Sequence, residues 1–514
     1  LLDRYGAPVV KSVMHRTLDA AEALFAQRLE QIPDGTWSHR AFTEASVPGD
    51  RGIYAYQINV TKAGEKLIVD NQGTDPQAGS INVTFAAFSG AVLAALTQQL
   101  TADLSGAYGG VYRRVEFRPE PGLLNCADYP AAVSPSGAFT TEMQLNAAAI
   151  VVAKMLACAD GDVRQLALGP CIPHFYGHIL GGADANGNIF IFANTDGMIG
   201  SLAGMPTRDG VDAGGHFWIP DGIAANCEDL EAQYPLLVLS RRHLPVGSDG
   251  AGRHRGGLGF SESAMTRGAL AGQLLLHANE SFTKAQGVLG GNPGSRASIR
   301  LRRGTDVAAK LADGDVPLGV DDLTGEEELI RFKGAPLMVG ADDVWEWTSP
   351  TTSGWGDPLL RDPEAVRADV AAQRLDPATA DRAYGVVITD GHVEADATGK
   401  RRRELRRERL EGREPTDPVQ PPRGARPVGD LLHVVEGRWW SGGADLGSVN
   451  DNYRERCVTR ETPARAIAPE FEATDVEIAD QMVFREYICP VTGYRIDAEI
   501  ARAGEPTLQD IRLT

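Results

Sequence analysis

Two groups of polar residues have the types and spacing to do chemistry. Asn226, Glu228 and Glu231 stand just before Tyr234-Pro235-Leu236, and Asp249-Gly250-Ala251-Gly252-Arg253-His254-Arg255-Gly256-Gly257 follows shortly after. A carboxylate can move a proton or bind a cation, and arginine offers a planar fork for carboxylate or phosphate. Glycines beside these side chains let the backbone approach an anionic substrate. The expectation is a single site, with Glu228, Glu231 or Asp249 as acid or base and Asn226, Arg253 and Arg255 on the substrate. The alternative is an intrachain ion-pair network around glycine turns.

Other chemistries have less to stand on. The chain has no Gly-Lys-Ser/Thr phosphate loop, no H-E-x-x-H, no G-x-S-x-G elbow and no C-x-x-C pair. Gly287-Val288-Leu289-Gly290-Gly291-Asn292-Pro293-Gly294 and Gly256-Gly257-Leu258-Gly259 read as turns. If ATP is used, its phosphates are expected mainly on another chain. His174 and His178 share a helical spacing suited to a metal, but Pro173 and Gly177 argue against a helix, and structural roles are expected for both.

The elements that must position these residues come from a chain of 514 residues with 58 glycines and a net charge of −19. That length implies about two to four domains. The acidic balance argues against nucleic acid or an anionic membrane as the main partner. The basic run from Arg401 to Arg413 reads as a solvated helix face. No apolar stretch reaches the roughly 20 residues needed to span a bilayer; Ala147 to Ala159 is of core length and Lys154 interrupts it. Six scattered cysteines suit reduced thiols in a cytoplasm better than a disulfide framework. The chain opens Leu1-Leu2 without a visible secretory signal, and further sequence upstream is expected.

Apolar spacing over residues 8–31 predicts an amphipathic helix ending before Pro33-Asp34-Gly35. Tyr54 to Lys62 and Lys66 to Asp70 predict a hairpin turning at Gly64. Small residues from Val83 to Leu100 and Thr140 to Cys158 predict two closely packed helices, and glycine-punctuated apolar runs from Gly177 to Gly294 predict strands. Val366 to Asp381 has partly helical spacing. The fold class is therefore α/β or α+β: a glycine-rich, multi-domain scaffold with a small β-rich, ribbon-like C-terminal domain. The expected divisions are residues 1–412 in two or more subdomains, a proline-rich linker at 413–427, and a domain at 428–514.

Several motifs in order resemble the hydantoinase B family, which includes oxoprolinases and acetone/acetophenone carboxylases. Asp70-x-x-Gly73-Thr74-x-Pro76-Gln77-x-Gly79-x-Ile81-Asn82 is similar to a family segment, as is Pro121-Gly122-Leu123-Leu124-Asn125 followed by Pro130-Ala131-Ala132-Val133. Asn226 through Pro235 with Ser248 through Gly259 resembles the most diagnostic segment, and Gly356-Asp357-Pro358 through Ala383-Tyr384-Gly385-Val386-Val387 resembles the family's ending. The resemblance spans residues 1–412 and implies substrate-binding roles for Asp70, Thr74 and Asn82.

Three departures stand out. Family members carry an N-terminal region with metal-associated His and Asp, and this chain is expected to start downstream of it, so no metal ligand is assigned here and a companion chain is an expected place for the divalent metal. The family's glycine-rich stretch before Gly-Asp-Pro is replaced by Ser349-Pro350-Thr351-Thr352-Ser353-Gly354-Trp355. Cys489-Pro490-Val491-Thr492-Gly493 resembles the C-P-x-C-G knuckle of the carboxylase small subunit, with Thr492 in place of the second cysteine. Cys457, Cys489 and His433 are fewer donors than the about four that structural zinc needs, so a ribbon without its metal is expected.

The resemblance implies a hydantoinase A-like ATPase partner carrying ATP and Mg, while this chain shapes the reaction site for a small molecule. It points to an ATP-dependent carboxylase acting on a ketone with bicarbonate. The alternatives are a subunit of an ATP-dependent cyclic amidohydrolase of the hydantoinase, oxoprolinase or lactamase type, and a non-catalytic scaffold.

Overall fold

The computed structural model describes residues 1–47, 49–103, 106–133, 140–172, 177–194, 200–217, 225–243, 247–277, 281–330, 336–467 and 475–514. The first long helix, Ala7–Glu30, carries Pro8 in its first turn and buries Ala21, Phe25 and Leu29. These residues are spaced by four, so they line one face. The expected hairpin is present as Ile53–Ala63 paired antiparallel with Lys66–Asp70. Both belong to a five-stranded sheet ordered Ile511–Leu513, Gly35–Glu44, Ile53–Ala63, Lys66–Asp70, Val115–Phe117. The two predicted small-residue helices, Phe85–Leu100 and Thr140–Ala157, are also present, and nearly every residue of the second is buried.

Two further antiparallel sheets follow. One is ordered Glu326–Leu329, Ser298–Arg303, Val344–Thr348, Phe260–Thr266, Leu236–His243, and the other Leu337–Val339, Ala269–His277, Gly177–Asp184, Ile189–Ala193. Their inner faces share a core holding Leu180, Phe192, Phe260, Trp345 and Trp347. Beyond them, Pro363–Ala371 and Pro377–Tyr384 split the predicted helical stretch, since Asp376 caps the second helix and Pro377 cannot continue the first. Among the described strands only Lys66–Asp70 and Val115–Phe117 pair in parallel, so the fold is α+β.

From the last two residues of the proline-rich stretch onward the chain forms a four-stranded meander, Arg426–Val428 to Ala444–Ser448, and a three-stranded sheet of Val458–Pro463, Met482–Ile488 and Arg495–Arg502. This region shares its interior with the start of the chain. Trp439, Tyr453, Cys489 and Ile511 lie in one core with Phe25, Trp37 and Leu156, and Ile511–Leu513 pairs with Gly35–Trp37.

One expectation needs correction. The arginine-rich helix Ala395–Arg409 is not a purely solvated face, because Arg406 and Arg409 are buried. Arg409 makes two hydrogen bonds to Asp357, at 2.7 and 3.0 Å, and Arg406 donates to the carbonyls of Thr416 and Thr492. Both arginines thereby fasten the C-terminal region to the body.

Candidate functional site

The diagnostic glycine segment lies against the stretch that replaces the family's glycine-rich loop. Residues 349–355 leave the strand Val344–Thr348 fully buried. They run between three glycine-bearing loops: Gly250 N donates to Thr352 O at 2.9 Å, Gly204 N to Ser353 O at 2.9 Å, and Gly354 N to Asn292 O at 2.9 Å. Backbone meets backbone here. A Cβ on Gly256 would sit 2.1 Å from Thr352 O, and one on Gly291 would sit 1.8 Å from Gly354 O. Glycine is required at both positions for close packing; the cluster around Gly290 contains the expected turn, whereas residues 256–259 run on into strand Phe260–Thr266 without one.

Charged side chains surround this hub. Arg255 Nε lies 3.1 Å from Asp369 Oδ1, and its backbone N–H donates to Asp209 Oδ1 at 3.0 Å. Arg361 bridges Asp209 Oδ2 and Asp369 Oδ2, each at 2.8 Å. Arg374 grips Asp212 and lies 3.7 Å from Asp249. Three guanidinium groups thus face four carboxylates. Burial opposes ionisation of Asp209, but Arg361, with His254 and Arg255, holds it well below the usual range.

Asp249 behaves in the opposite way. Burial pushes its carboxyl up to about 6, only partly offset by Arg374 and Arg255, and its Oδ2 accepts no hydrogen bond. This is a buried acid able to hold or release a proton near neutral pH. Its folded pKa is raised, so the folded state binds the extra proton and ionisation costs stability as pH rises from about 4 to about 6. We expect Asp249→Asn, which cannot ionise, to gain about 1–3 kcal/mol relative to the parent between pH 4 and 7. Urea unfolding at both pH values checks this, and parallel curves would rule it out.

The structure places the two groups apart, and of the second group Asp249 and Arg255 lie in the hub. Asn226, Glu228 and Glu231 belong to the short helix Cys227–Gln233, where Asn226 is the N-cap residue without a side-chain cap bond. Glu231 accepts from Val238 N at 3.0 Å, and Glu228 is exposed. No hydrogen bond or ion pair among the described residues joins this helix's carboxylates to Asp249, Arg253 or Arg255. Helix Cys227–Gln233 packs on strand Leu236–His243, and the chain then leaves for the hub. Arg253 is half-exposed and pairs with Asp430 of the C-terminal region.

Asp70, Thr74 and Asn82 fall in a separate polar turn. Asn59 Nδ2 donates to Asp70 Oδ1 at 2.6 Å, Gln57 N to Thr74 Oγ1 at 2.9 Å, and Asn82 Nδ2 to Ala132 O at 2.9 Å. Thr74 and Asn82 are buried and fix the loop's path, while Asp70 is partly open. His174 lies outside the described residues, and His178 is in the strand Gly177–Asp184.

Sequence reasoning missed a buried charge cluster. Lys154 Nζ lies 2.7 Å from Asp497 Oδ2 and 2.6 Å from Asp510 Oδ2, and Arg454 Nη2 reaches the same two carboxylates at 2.5 and 2.8 Å. Beside it, a cavity of about 20 Å³ is lined by His39, Asn146, Thr283 and Lys284, room for about one water. Burial, with the charges of Lys154 and Arg454, pushes His39 down to about 3, so it is neutral. The available signal was Lys154 itself, the one basic residue in an otherwise largely apolar helix.

Residues 1–358 match the family model for hydantoinase B/oxoprolinase. The chain belongs to that family. Residues 427–514 match the model for the acetone carboxylase gamma subunit. Among relatives, the acetophenone carboxylase delta subunit of Aromatoleum aromaticum is 26% identical over 411 residues, covering 75% of this chain and 58% of that protein. The B subunit of a putative D-/L-hydantoinase from a Pseudomonas species is 25% identical over 410 residues, covering 76% and 62%. A solved nucleotide-free structure of ATP-dependent acetone carboxylase aligns with a TM-score of 0.67 at 21% identity, covering 77% of this chain and 55% of that one, which shows a shared fold. The chain thus spans about three-fifths of the length of these curated relatives, both named as subunits.

Among the described residues, no three His, Cys, Asp or Glu side chains are grouped to hold a metal ion. No described helix is long and apolar enough to cross a membrane.

Proposed function

We propose that this chain is a subunit of an ATP-dependent, multi-subunit ketone carboxylase of the acetone or acetophenone type, working on bicarbonate in the cytoplasm. The observation that carries this reading is the union on one chain of a hydantoinase B match over residues 1–358 and an acetone carboxylase gamma match over 427–514. ATP and Mg are assigned to a hydantoinase A-like partner, and the family's divalent metal to a companion chain. Residues 1–412, 413–427 and 428–514 are proposed as body, connector and small-subunit-like part.

The hub side chains are assigned the reaction site. Asp249 is the proposed proton carrier, because burial pushes its carboxyl up to about 6 and leaves its Oδ2 without a hydrogen bond beside Arg374. Arg253, the more open of the two segment arginines, is the proposed contact for a carboxylate or phosphate, with Arg255 orienting the loop through Asp369 and Asp209. Glu228, Glu231 and Asn226 are proposed to face a partner chain, and Asp70, Thr74 and Asn82 to shape the substrate's entry.

A cyclic amidohydrolase is the second reading, favoured by the hydantoinase relative at nearly the same identity. The test is ATP hydrolysis by this chain with its ATPase partner, with ketones plus bicarbonate set against hydantoins and lactams. Ketone- and bicarbonate-dependent turnover, absent from the isolated chain, is expected. Turnover with cyclic amides and none with ketones would overturn the carboxylase reading, and no stimulation by either would favour a scaffold.

A further inference from the structure

Where the body meets the C-terminal region lies an open cavity of about 180 Å³ whose wall carries Arg382, Arg409, Arg460 and Arg495, with Glu408 and Glu486. Four separate elements deliver the arginines: helix Pro377–Tyr384, the last turn of helix Ala395–Arg409, strand Val458–Pro463 and the start of strand Arg495–Arg502. The convergence is tertiary.

Two of the four are neutralised inside the protein. Arg409 pairs with Asp357 at 2.7 Å, and Arg495 pairs with Glu486 at 2.8 Å and donates to Gly290 O at 2.8 Å. The other two keep their forks open. Arg460, partly buried, makes no side-chain hydrogen bond or ion pair among the described residues, and Arg382 donates only to Thr379 Oγ1, at 3.1 Å. Glu408 is exposed at the rim, and the nearest cation it pairs with is Arg401, at 3.6 Å. Once the internal pairs are formed, the cavity keeps uncompensated positive charge.

We propose that this cleft binds a small dianionic oxyanion of the phosphate class, held by Arg460 and Arg382 over a floor set by Arg409 and Arg495. Guanidinium forks match such oxygens two at a time. The volume suits an ion of that size with its waters rather than a whole nucleotide, since pockets for larger ligands run from about 300 Å³. The site is independent of the assignment of the reaction. Binding there ties helices of the body to strands of the C-terminal region.

The test uses the full chain and isothermal titration with inorganic phosphate at fixed chloride, beside glycerol 2-phosphate and acetate. Saturable binding of phosphate is expected, weakened at least tenfold in Arg460→Gln/Arg382→Gln and unchanged in Arg403→Gln, whose side chain pairs with Glu414 away from the cleft. Binding of phosphate alone identifies the free ion as ligand, and binding of the monoester as well identifies a phosphoryl group on a larger molecule. If the double variant fails to fold, Arg382→Gln, at an exposed position, carries the comparison with a loss of about threefold or more. Absence of saturable phosphate binding, equal affinity for acetate, or unaltered binding by a folded double variant would overturn the proposal.

Discussion

Gly291→Ala is expected to destabilise the chain by on the order of 3 kcal/mol or more, while Gly399→Ala leaves it unchanged or slightly more stable. The new methyl at Gly291 would lie 1.8 Å from Gly354 O and 2.2 Å from its carbonyl carbon, and both are backbone atoms. Neither can swing away. Gly354 is itself held by its N–H bond to Asn292 O at 2.9 Å, so relief requires the loop and the buried stretch 349–355 to separate. Gly399 lies in helix Ala395–Arg409 with open space where a Cβ would go, and there alanine gains helix propensity of about 1 kcal/mol. The readout is the urea midpoint of each variant at constant slope. A Gly291→Ala midpoint equal to the parent's would mean that this glycine cluster is not a packing device.

This hub shows where sequence reading succeeds and where it stops. Glycines interleaved with Asp249, Arg253 and Arg255 fit both an anion cradle and a close-packed turn, and local pattern alone cannot separate the two. The deciding partner, the stretch 349–355, is about a hundred residues further along the chain. The same limit hid Asp209, Asp212, Arg361 and Arg374, each placed beside the segment by tertiary folding. Periodic elements were legible because their signal is local: helix Ala7–Glu30 and the hairpin at Gly64 follow from spacing and turn residues. Strand Gly35–Glu44 was not anticipated. All its residues but Thr36 and Arg40 are buried, so both faces are covered and the alternation that betrays a half-exposed strand is absent. Its outer neighbour, Ile511–Leu513, arrives from the far end of the chain. Arg406 and Arg409 misled for a related reason: a run of arginines looks solvated until Asp357 and the carbonyls of Thr416 and Thr492 are brought to meet it.

A fully buried electrostatic tie between the two matched regions gives the other large expectation: Lys154→Met should cost about 3–5 kcal/mol at neutral pH. Lys154 and Arg454 together face Asp497 and Asp510, and all four side chains are 2% exposed or less. Methionine fills much the same volume, so the loss is one of charge rather than packing. Arg454 is left to balance two buried carboxylates. Burial raises Asp510 above its usual value in the intact protein, against the pull of Arg454 and Lys154, and it is the group that must take up a proton when Lys154 is gone. Asp497 moves the other way: burial opposes its ionisation, but Lys154 and Arg454 hold it far below the usual range. A depressed carboxylate contributes stability above its unfolded pKa, near 4, and loses that contribution as pH falls. The deficit of Lys154→Met is therefore fully developed above about pH 4 and shrinks as pH falls below it, through the depressed range of Asp497. Asp510→Asn added to Lys154→Met restores one cation against one anion, and the pair should be less destabilised than the sum of the two single variants by about 1–3 kcal/mol. Because Lys154 comes from the central helix and its partners from the last strands, the single variant should also expose residues 413–427 to protease sooner than the parent. Additive single and double variants, or a deficit independent of pH, would mean that this cluster does not join the two regions.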